Sequence, residues 1–571
     1  MENSSIPDKN YAKINKTLKQ NWNILNLLIK DFESLVYQSY SSNPKYTEIR
    51  AGVPEDYKQI KTLGVLLEIN YKIVGAKEQM RRNLASKIKT GGKKYPGIIG
   101  FDNDVIPALD RAILSCHDIM LIGQIGQAKT KIAQIIAENL LSPMPVIKGS
   151  ITNDCPMDLP AHELISLLQD EKTHMSSPRF YMDHDSMEKI CNNKLETPIE
   201  WIEGKDRFKY VLATPDISVK DLVGQIDAIK ITKHGMEMYE IESYSPGQLM
   251  QSKHGLFCID ELPVLDTRKQ VALLSVLQEG RFTTGAYPVI FEPKTVFFAT
   301  ANPIDYTHAG KIIEPLYDRL KSHIHTHYPK TLSDEMLIVI QESKIPKSFI
   351  PLFMLKALIR IVQSARSSQE INQDKGVSVR MSIHSLELLV GEAERTRALS
   401  HDMLPLPRPS DIFCIEQCAK FELAELDDTG ENRHKTLKNL INTAMANTSL
   451  EYLKGIEQNV FENIKKEFVD KTFLVSQEIL GSNGMATSYE RQLENFRSLA
   501  ALTDTICQKI LSEQIEFANQ TKMHGIPSES LEVSETITKE LKAAVLELVL
   551  DGLCSVDPKI LDKREGAYIA A

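Results

Sequence analysis

Residues 119–130 constrain the fold of this chain more than any other segment. They read IMLIGQIGQAKT, and the following run, KIAQIIAENLL, has the apolar spacing of a helix. Gly123, Gly126, Lys129 and Thr130 therefore lie between a short apolar strand and a helix. This is the context that a phosphate-binding loop requires. The segment predicts a P-loop on a parallel α/β sheet.

The chemistry of such a loop explains its residue types. Small residues let backbone N–H groups surround phosphates at a helix N-terminus. The lysine reaches the β- and γ-phosphates, and the hydroxyl after it ligates Mg²⁺. We therefore predict ATP and Mg²⁺ as cofactors, bound by Gly123, Gln124, Ile125, Gly126, Gln127, Ala128, Lys129 and Thr130. Ala128 stands where glycine is usual, which is compatible with close approach to phosphate if its φ stays negative.

A second motif, LFCIDEL at 256–262, is an apolar strand that ends in two carboxylates, Asp260 and Glu261. Ligands of α/β sheets bind at the carboxyl ends of the strands. Asp260 is predicted to hold Mg²⁺ through water, and Glu261 to polarise the attacking water as general base. The next apolar run, TVFFATANP, ends in Asn302, an amide suited to positioning that water. A chance glycine turn and a strand with a merely acidic end are the alternatives, and the order of the motifs argues against both.

The pattern of the sequence changes twice along the chain. Residues 1–95 have helical periodicity, and KTGGKKYPG interrupts it. Short apolar runs then alternate with helical segments as far as about 330. These runs, DIMLIG, MPVIKGS, GLFCIDE, TVFFATANP and SHIHTHYP, predict a parallel sheet flanked by helices. Beyond 330 the patterns are almost entirely helical.

The predicted fold class is an α/β P-loop core followed by an all-helical lid, with helical extensions at both ends. We predict a helical N-terminal segment over 1–95, the nucleotide-binding core over 96–330, the lid over 331–430 and a C-terminal extension over 431–571. The core carries an insertion at about 150–210 and a hairpin at about 281–295.

Charge is unevenly distributed along the chain. Its 571 residues carry 67 Lys and Arg against 76 Asp and Glu, a net charge of −9. Residues 1–100 nevertheless hold 17 basic against 9 acidic residues. A basic segment can bind nucleic acid or an acidic partner. No aromatic interleaving accompanies the charge, so we favour a solvated helix face and expect no nucleic-acid partner.

The hydropathy of the chain and the spacing of its cysteines indicate the cellular compartment of the protein. No run of about 18 apolar residues occurs, so no membrane span is expected. The polar start MENSSIPDKNYAKINK lacks the apolar core of a secretory signal. The eight cysteines are scattered rather than spaced as a disulfide framework. We predict a cytoplasmic protein.

With these motifs in place, the chain resembles the AAA+ ATPases of the MoxR and magnesium-chelatase I-subunit group. The resemblance runs from YPGIIGFDNDVIPAL, near residue 95, to RPSDIFCIEQCAKFEL, which ends near 425. Its most specific pieces are GQAKT, ATPDISVKDLVGQIDAIK, SPGQLMQSKHGLFCIDELPVLD and LLSVLQEGRFTTGAYPVIFEPKTVFFATANP. In this group the alanine of GQAKT is a family trait.

The resemblance implies a ring, expected to be a hexamer, with ATP at the subunit interfaces. Arg319, in EPLYDRL, would act on the nucleotide of the neighbouring subunit, and Arg380, in SVRMSIHSLELL, would be the sensor of the lid. With Glu261 and Asn302 they form the predicted catalytic set. Members of the group commonly act with a von Willebrand factor A domain protein, and the chelatase branch drives insertion of Mg²⁺ into a porphyrin.

The predicted function is ATP hydrolysis to ADP and phosphate, coupled to remodelling of a protein partner or to metal or cofactor insertion. One alternative is a nucleotide-gated assembly module that hydrolyses slowly; intact Glu261, Asn302 and Arg319 argue against it. The other is a DNA-linked motor or transcription activator, suggested by the basic segment and by RFTTGA at 281–286. That hexapeptide lies after Asp260, whereas the activator loop that it resembles precedes the equivalent strand.

Overall fold

The computed structural model describes residues 32–169, 179–226, 232, 244–279, 282–283, 290–303, 311–374, 376–399, 403–424, 428–475, 484–564 and 566–571. These residues form two compact units. The first comprises the described residues of Met1–Pro96, Asp104–Gly123 and Ala128–His325. The second comprises those of Gly97–Asn103, Gln124–Gln127 and Thr326–Ala571. The predicted domain boundaries remain predictions.

A five-stranded sheet organises the first unit. Its strands in chain order are β1 (Ile119–Ile122), β2 (Phe208–Leu212), β3 (Leu256–Asp260), β4 (Val296–Ala301) and β5 (Ser322–His325). Their order across the sheet is β5-β1-β4-β3-β2, and every neighbouring pair is parallel. All residues of β1 and β4 are buried, as expected for strands covered on both faces. The predicted α/β P-loop fold class is therefore confirmed.

The prediction that MPVIKGS contributes a strand to this sheet is wrong. The run MPVIKGS contains a strand, Met144–Ile147, but it pairs antiparallel with Ile199–Ile202 outside the five-stranded sheet. The fifth parallel strand is instead Phe208–Leu212, at the end of the segment predicted as an insertion. A short apolar run indicates a buried strand without identifying its partner. Pairing is decided by tertiary contacts.

Helices and short strands surround this sheet within the first unit. The helices are 32–41, Leu63–Glu68, Ala76–Thr90, Val105–Leu114, Lys129–Leu140, Ala161–Leu168, His184–Asn193, Val219–Val223, Gln248–Gln251, Thr267–Glu279 and Glu314–Arg319. The short strands are Glu48–Arg50, Val53–Pro54, Arg179–Phe180, Gly224–Ile226, Tyr244–Pro246, Phe282–Thr283 and Ile290–Phe291. Phe282–Thr283 pairs antiparallel with Ile290–Phe291 in the region predicted as a hairpin, and residues 284–289 lie outside the described ones.

The second unit is mainly helical. Its helices are Leu332–Glu342, Leu352–Ser367, Val379–Ala393, Gly430–Leu453, Gln458–Glu467, Gly484–Leu493, Arg497–Met523 and Glu535–Leu553, with a 3₁₀-helix at Pro409–Cys418. A small antiparallel sheet joins Phe473–Leu474, Leu561–Arg564 and Ala567–Ala570. One hydrophobic core includes Leu358 and Leu389 as well as Ile441 and Leu546. Within the described parts of the chain, no helix is long and apolar enough to cross a membrane.

Several of the basic side chains near the N-terminus have acidic partners within the chain. Lys77 Nζ lies 2.6 Å from Asp118 Oδ2. Arg82 pairs with Glu48, and Lys94 pairs with Asp110. These ion pairs neutralise part of the local excess of positive charge.

A buried ionic cluster lies at the start of two central strands. Asp158 is 3.3 Å from Lys253 Nζ, 3.1 Å from His254 Nε2 and 2.6 Å from Lys294 Nζ. Lys253 is 1% exposed and precedes β3, while Lys294 precedes β4. Burial alone would raise the pKa of Asp158, but Lys253, His254 and Lys294 together hold that pKa well below its usual range. The carboxylate thus connects the segments that lead into both strands.

We expect Asp158→Asn to destabilise the first unit by up to about 3–5 kcal/mol, because buried Lys253 then keeps only the more distant carboxylate of Asp154, at 3.5 Å. Since the folded pKa is depressed, this stabilisation is present above the unfolded carboxyl pKa of about 3.9 and is lost as the pH falls below it. Urea unfolding followed by tryptophan fluorescence measures the difference. The control Glu78→Gln breaks an exposed pair with Arg81 and should cost less than about 1 kcal/mol. Equal losses in the two variants would contradict the assignment.

Candidate functional site

The predicted phosphate loop begins at the end of a buried strand. The backbone N–H of Gly123 donates to the carbonyl of Ala301 at 3.0 Å, so the loop starts beside the end of β4. The helix Lys129–Leu140 follows the loop. Lys129 Nζ donates to the Gly123 carbonyl at 2.5 Å. The strand, loop and helix therefore have the arrangement that the sequence motif requires.

The backbone of the loop corrects one expectation. Ala128 has φ 57°, in the left-handed region, whereas a negative φ was expected. Gly126 also has a positive φ, 81°. The loop reverses direction just before the helix, and the reversal requires left-handed residues there. A residue with a Cβ adopts that region at a cost of about 1–2 kcal/mol.

Thr130 and Asp260 meet although they are far apart in sequence. Thr130 Oγ1 donates to Asp260 Oδ2 at 3.0 Å. The first residue begins the helix after the loop, and the second ends β3. A hydroxyl and a carboxylate are oxygen ligands of the kind that Mg²⁺ prefers, and Mg²⁺ sites commonly use one or two carboxylates together with substrate phosphates. The donor set therefore fits a Mg²⁺–nucleotide complex.

Thr300 hydrogen bonds to the carboxylate of Asp260 and to the backbone of Glu261. It is fully buried in β4, and its hydroxyl donates to Asp260 Oδ1. The same oxygen accepts the backbone N–H of Glu261 at 3.0 Å. Glu261 itself has φ 56°, a left-handed conformation that is unusual for a residue with a long side chain. The chain thus turns sharply at the predicted general base.

Asn302 completes this edge of the sheet. It follows the last residue of β4 and is only 7% exposed. The parallel register pairs Ala301 with Ile122, which places Asn302 opposite the start of the phosphate loop. The structure therefore collects Gly123, Thr130, Asp260, Glu261 and Asn302 at the carboxyl edge of one sheet.

The two predicted arginines lie in different units. Arg319 ends the helix Glu314–Arg319, and its side chain is exposed. Arg380 lies in the first turn of the helix Val379–Ala393 of the second unit, and it is also exposed. The N–H of Arg380 donates to Ser378 Oγ at 3.1 Å, which caps that helix. The roles of both arginines remain predictions.

Residues 124–127 of the phosphate loop belong to the second unit and are hydrogen bonded within it. Gln124 Nε2 donates to the Gln373 carbonyl at 2.9 Å, Tyr328 OH to the Ile125 carbonyl at 3.0 Å, and Thr326 Oγ1 to Gln127 Oε1 at 2.8 Å. A Cβ added to Gly126 would lie 2.0 Å from Ser378 Oγ. The tip of the loop is therefore closely fitted to its neighbours.

Tyr328 is itself held in place by a cation. The guanidinium of Arg366 lies 4.4 Å from the centre of its ring. Arg366 in turn makes two hydrogen bonds, of 2.7 and 2.9 Å, to the buried carboxylate of Glu335. Burial raises the pKa of Tyr328 to about 12, so its hydroxyl is protonated at neutral pH. It can therefore act as a donor to the loop carbonyl.

Three residues bonded to the predicted motifs were not expected from the sequence: Thr300, Tyr210 and Tyr328. Thr300 had a detectable signal, since it is a hydroxyl inside the apolar run TVFFATANP. Tyr210 OH donates to Asp260 Oδ2 at 3.0 Å. Burial and the neighbouring Asp260 raise the pKa of Tyr210 to about 12. Its strand fell at the end of the predicted insertion, so its position beside β3 was not predicted.

Comparison with known proteins gives distant similarities. No family model matches the chain. An uncharacterised protein of Bacillus subtilis, YeaC, is 25% identical over 170 residues, which cover 29% of this chain. The chain matches half the length of that relative.

The similar solved structures include three kinds of protein. A candidate ATPase from Cytophaga hutchinsonii is 17% identical, with 65% of this chain and 95% of that chain covered and a TM-score of 0.25. The complex of magnesium-chelatase subunits BchI and BchD is 14% identical, with 62% of this chain and 95% of that chain covered and a TM-score of 0.30. NtrX from Brucella abortus is 13% identical, with 64% of this chain and 67% of that chain covered and a TM-score of 0.33. With TM-scores this low, the superpositions support no conclusion about fold or activity.

We expect Ala128→Gly to stabilise the protein by about 0.5–1 kcal/mol, because glycine adopts φ 57° without the Cβ penalty. Gly126→Ala is the matched opposite change. It should destabilise the protein by more than about 1 kcal/mol, since the new Cβ meets Ser378 at a left-handed position. Thermal unfolding of the two variants beside the parent measures both effects. Stabilisation by Gly126→Ala would show that this loop conformation is not the native one.

Proposed function

We propose that this chain is an AAA+ ATPase that binds ATP with Mg²⁺ and hydrolyses it. The observation that carries the proposal is the 3.0 Å contact between Thr130 and Asp260, at the carboxyl edge of a parallel sheet and beside Lys129. A surface strand with an acidic end would not need to meet the hydroxyl of a loop 130 residues earlier. The contact is what a shared nucleotide–metal site requires.

Each residue of the site has a chemical role in this proposal. The loop N–H groups and Lys129 bind the phosphates, while Thr130 and Asp260 hold Mg²⁺, which neutralises phosphate charge when bound. Glu261 accepts a proton from the attacking water. Asn302 hydrogen bonds the same water and orients it towards the γ-phosphate. Thr300 fixes the orientation of the Asp260 carboxylate relative to the backbone of Glu261, because it hydrogen bonds to both.

The finer assignment rests on the resemblance to the MoxR and magnesium-chelatase group. In this proposal the chain forms a ring, with six subunits expected, and Arg319 of one subunit acts on the nucleotide of the next. Arg380 senses the nucleotide from the lid. ATP turnover drives remodelling of a protein partner, for which a von Willebrand factor A domain protein is the first candidate, or insertion of a metal or cofactor. The cytoplasm is the proposed compartment.

Glu261→Gln should retain ATP binding but hydrolyse ATP roughly 10²–10⁴-fold more slowly, because the amide has the same shape and cannot accept a proton. Phosphate release at saturating ATP measures the rate, and a fluorescent ATP analogue measures the affinity. Glu196→Gln, an exposed position of the first unit, is the control and should turn over at the parent rate. Near-normal hydrolysis by Glu261→Gln would show that this carboxylate is not the general base.

Lys129→Ala should behave differently from Glu261→Gln. The ammonium group binds phosphate in the ground state as well as in the transition state, so its removal lowers nucleotide affinity itself. Unchanged affinity for the fluorescent analogue would contradict the assignment of the loop.

If Arg319 acts across an interface, specific activity should rise with protein concentration until assembly is complete. Arg319→Ala should bind ATP normally and hydrolyse it poorly, since arginine fingers contribute roughly 10³–10⁵ in rate. Mixing Arg319→Ala subunits with Glu261→Gln subunits should restore part of the activity. In a mixed ring, some interfaces pair an intact Glu261 with an intact Arg319.

The mixing experiment separates the trans arginine from a cis one. An arginine that serves its own subunit predicts no recovery, because every subunit then lacks one essential group. Native mass measurement must show that mixed rings have formed. No recovery in such rings would contradict the shared site and would leave a self-contained ATPase.

A further inference from the structure

The carboxylate of Asp260 accepts three hydroxyl hydrogen bonds. Thr130 and Tyr210 each donate to Oδ2 at 3.0 Å, and Thr300 donates to Oδ1. Thr130 is the predicted metal ligand, and Thr300 also accepts the N–H of Glu261. Among the described residues, the hydroxyl of Tyr210 is hydrogen bonded to Asp260 alone. The contribution of Tyr210 can therefore be separated from that of the other two.

Packing does not account for the position of Tyr210. The residue lies in β2, the edge strand of the sheet, and is 44% exposed. Its Cα partner in β3 is Cys258, two residues before Asp260, so its ring extends diagonally towards the end of the neighbouring strand. A half-exposed tyrosine could direct its hydroxyl into solvent. Here the hydroxyl is directed instead at a carboxylate of the candidate site.

We propose that Tyr210 is a positioning residue for the Mg²⁺ site, orienting the carboxylate of Asp260 through its hydroxyl. The inference rests on the proposed function, in which Asp260 helps to hold Mg²⁺. A carboxylate rotates about two single bonds unless both of its oxygens are held. Thr300 holds one oxygen from the buried side, and Tyr210 holds the other from the exposed edge. Hydrogen bonds that orient the groups holding a metal raise metal affinity.

The test compares Tyr210→Phe with a matched control in the full-length protein. Phenylalanine keeps the ring and removes only the hydroxyl. The control, Tyr57→Phe, removes another tyrosine hydroxyl that is bonded to a carboxylate, Glu203 Oε1 at 3.4 Å, and that lies outside the site. Mn²⁺ serves as the probe, and its binding in the presence of ADP is followed by electron paramagnetic resonance. ADP affinity in EDTA and the melting temperature are measured in parallel.

We expect Tyr210→Phe to weaken Mn²⁺ binding roughly 10–100-fold, the range found when partners of metal ligands are removed. ADP affinity in EDTA should stay at the parent value, because the Tyr210 hydroxyl bonds to Asp260, which is assigned to the metal and not to the nucleotide. Tyr57→Phe should match the parent in every measurement. This pattern separates a positioning role from a general loss of structure, which would lower ADP affinity as well.

Two outcomes overturn the inference alone. In one, the parent binds ADP and Mn²⁺, and Tyr210→Phe binds Mn²⁺ equally well. In the other, Tyr210→Phe weakens Mn²⁺ binding and metal-free ADP binding to the same degree, which would show that the hydroxyl supports the folded structure in general. If the parent protein binds neither ADP nor Mn²⁺, the proposed function fails, and the inference fails with it.

Discussion

The hydrogen bond between Thr130 and Asp260 is the contact on which the candidate site depends. It joins the start of one helix to the end of a strand 130 residues later. The bond can form because β1 and β3 are both parallel neighbours of β4, so their carboxyl ends reach the same edge. Thr300 of the intervening strand adds a second hydroxyl to the same carboxylate. Sheet order therefore brings the two local motifs together at one edge.

Rigidity at the two ends of the central strands has different origins. At their carboxyl ends, Ala128 and Glu261 adopt left-handed backbone that tertiary contacts must sustain. At the amino ends of β3 and β4, Asp158 lies between Lys253 and Lys294. The pair with Lys253 is costly to break, since that lysine is buried and would keep only one carboxylate partner, Asp154, at 3.5 Å. The strand that carries Asp260 and its neighbour β4 are thus anchored away from the candidate site.

Within the second unit, residues 124–127 are held by side chains that no phosphate motif specifies. Tyr328 donates to the Ile125 carbonyl, and Arg366 and Glu335 support the tyrosine in turn. Gly126 fits closely against Ser378, which caps the helix that carries Arg380. The loop tip and the start of the predicted sensor helix are therefore adjacent.

The sequence by itself determined the P-loop, the strand ending in Asp260 and Glu261, and Asn302, because short motifs with strict local geometry encode them. It also predicted the α/β class, from apolar runs that alternate with helical periodicity. Only the tertiary structure decided that MPVIKGS lies outside the parallel sheet and that Phe208–Leu212 belongs to it. It alone placed the Tyr210 hydroxyl on Asp260. Strand partners and diagonal side-chain contacts depend on residues distant in sequence, and no local pattern records them.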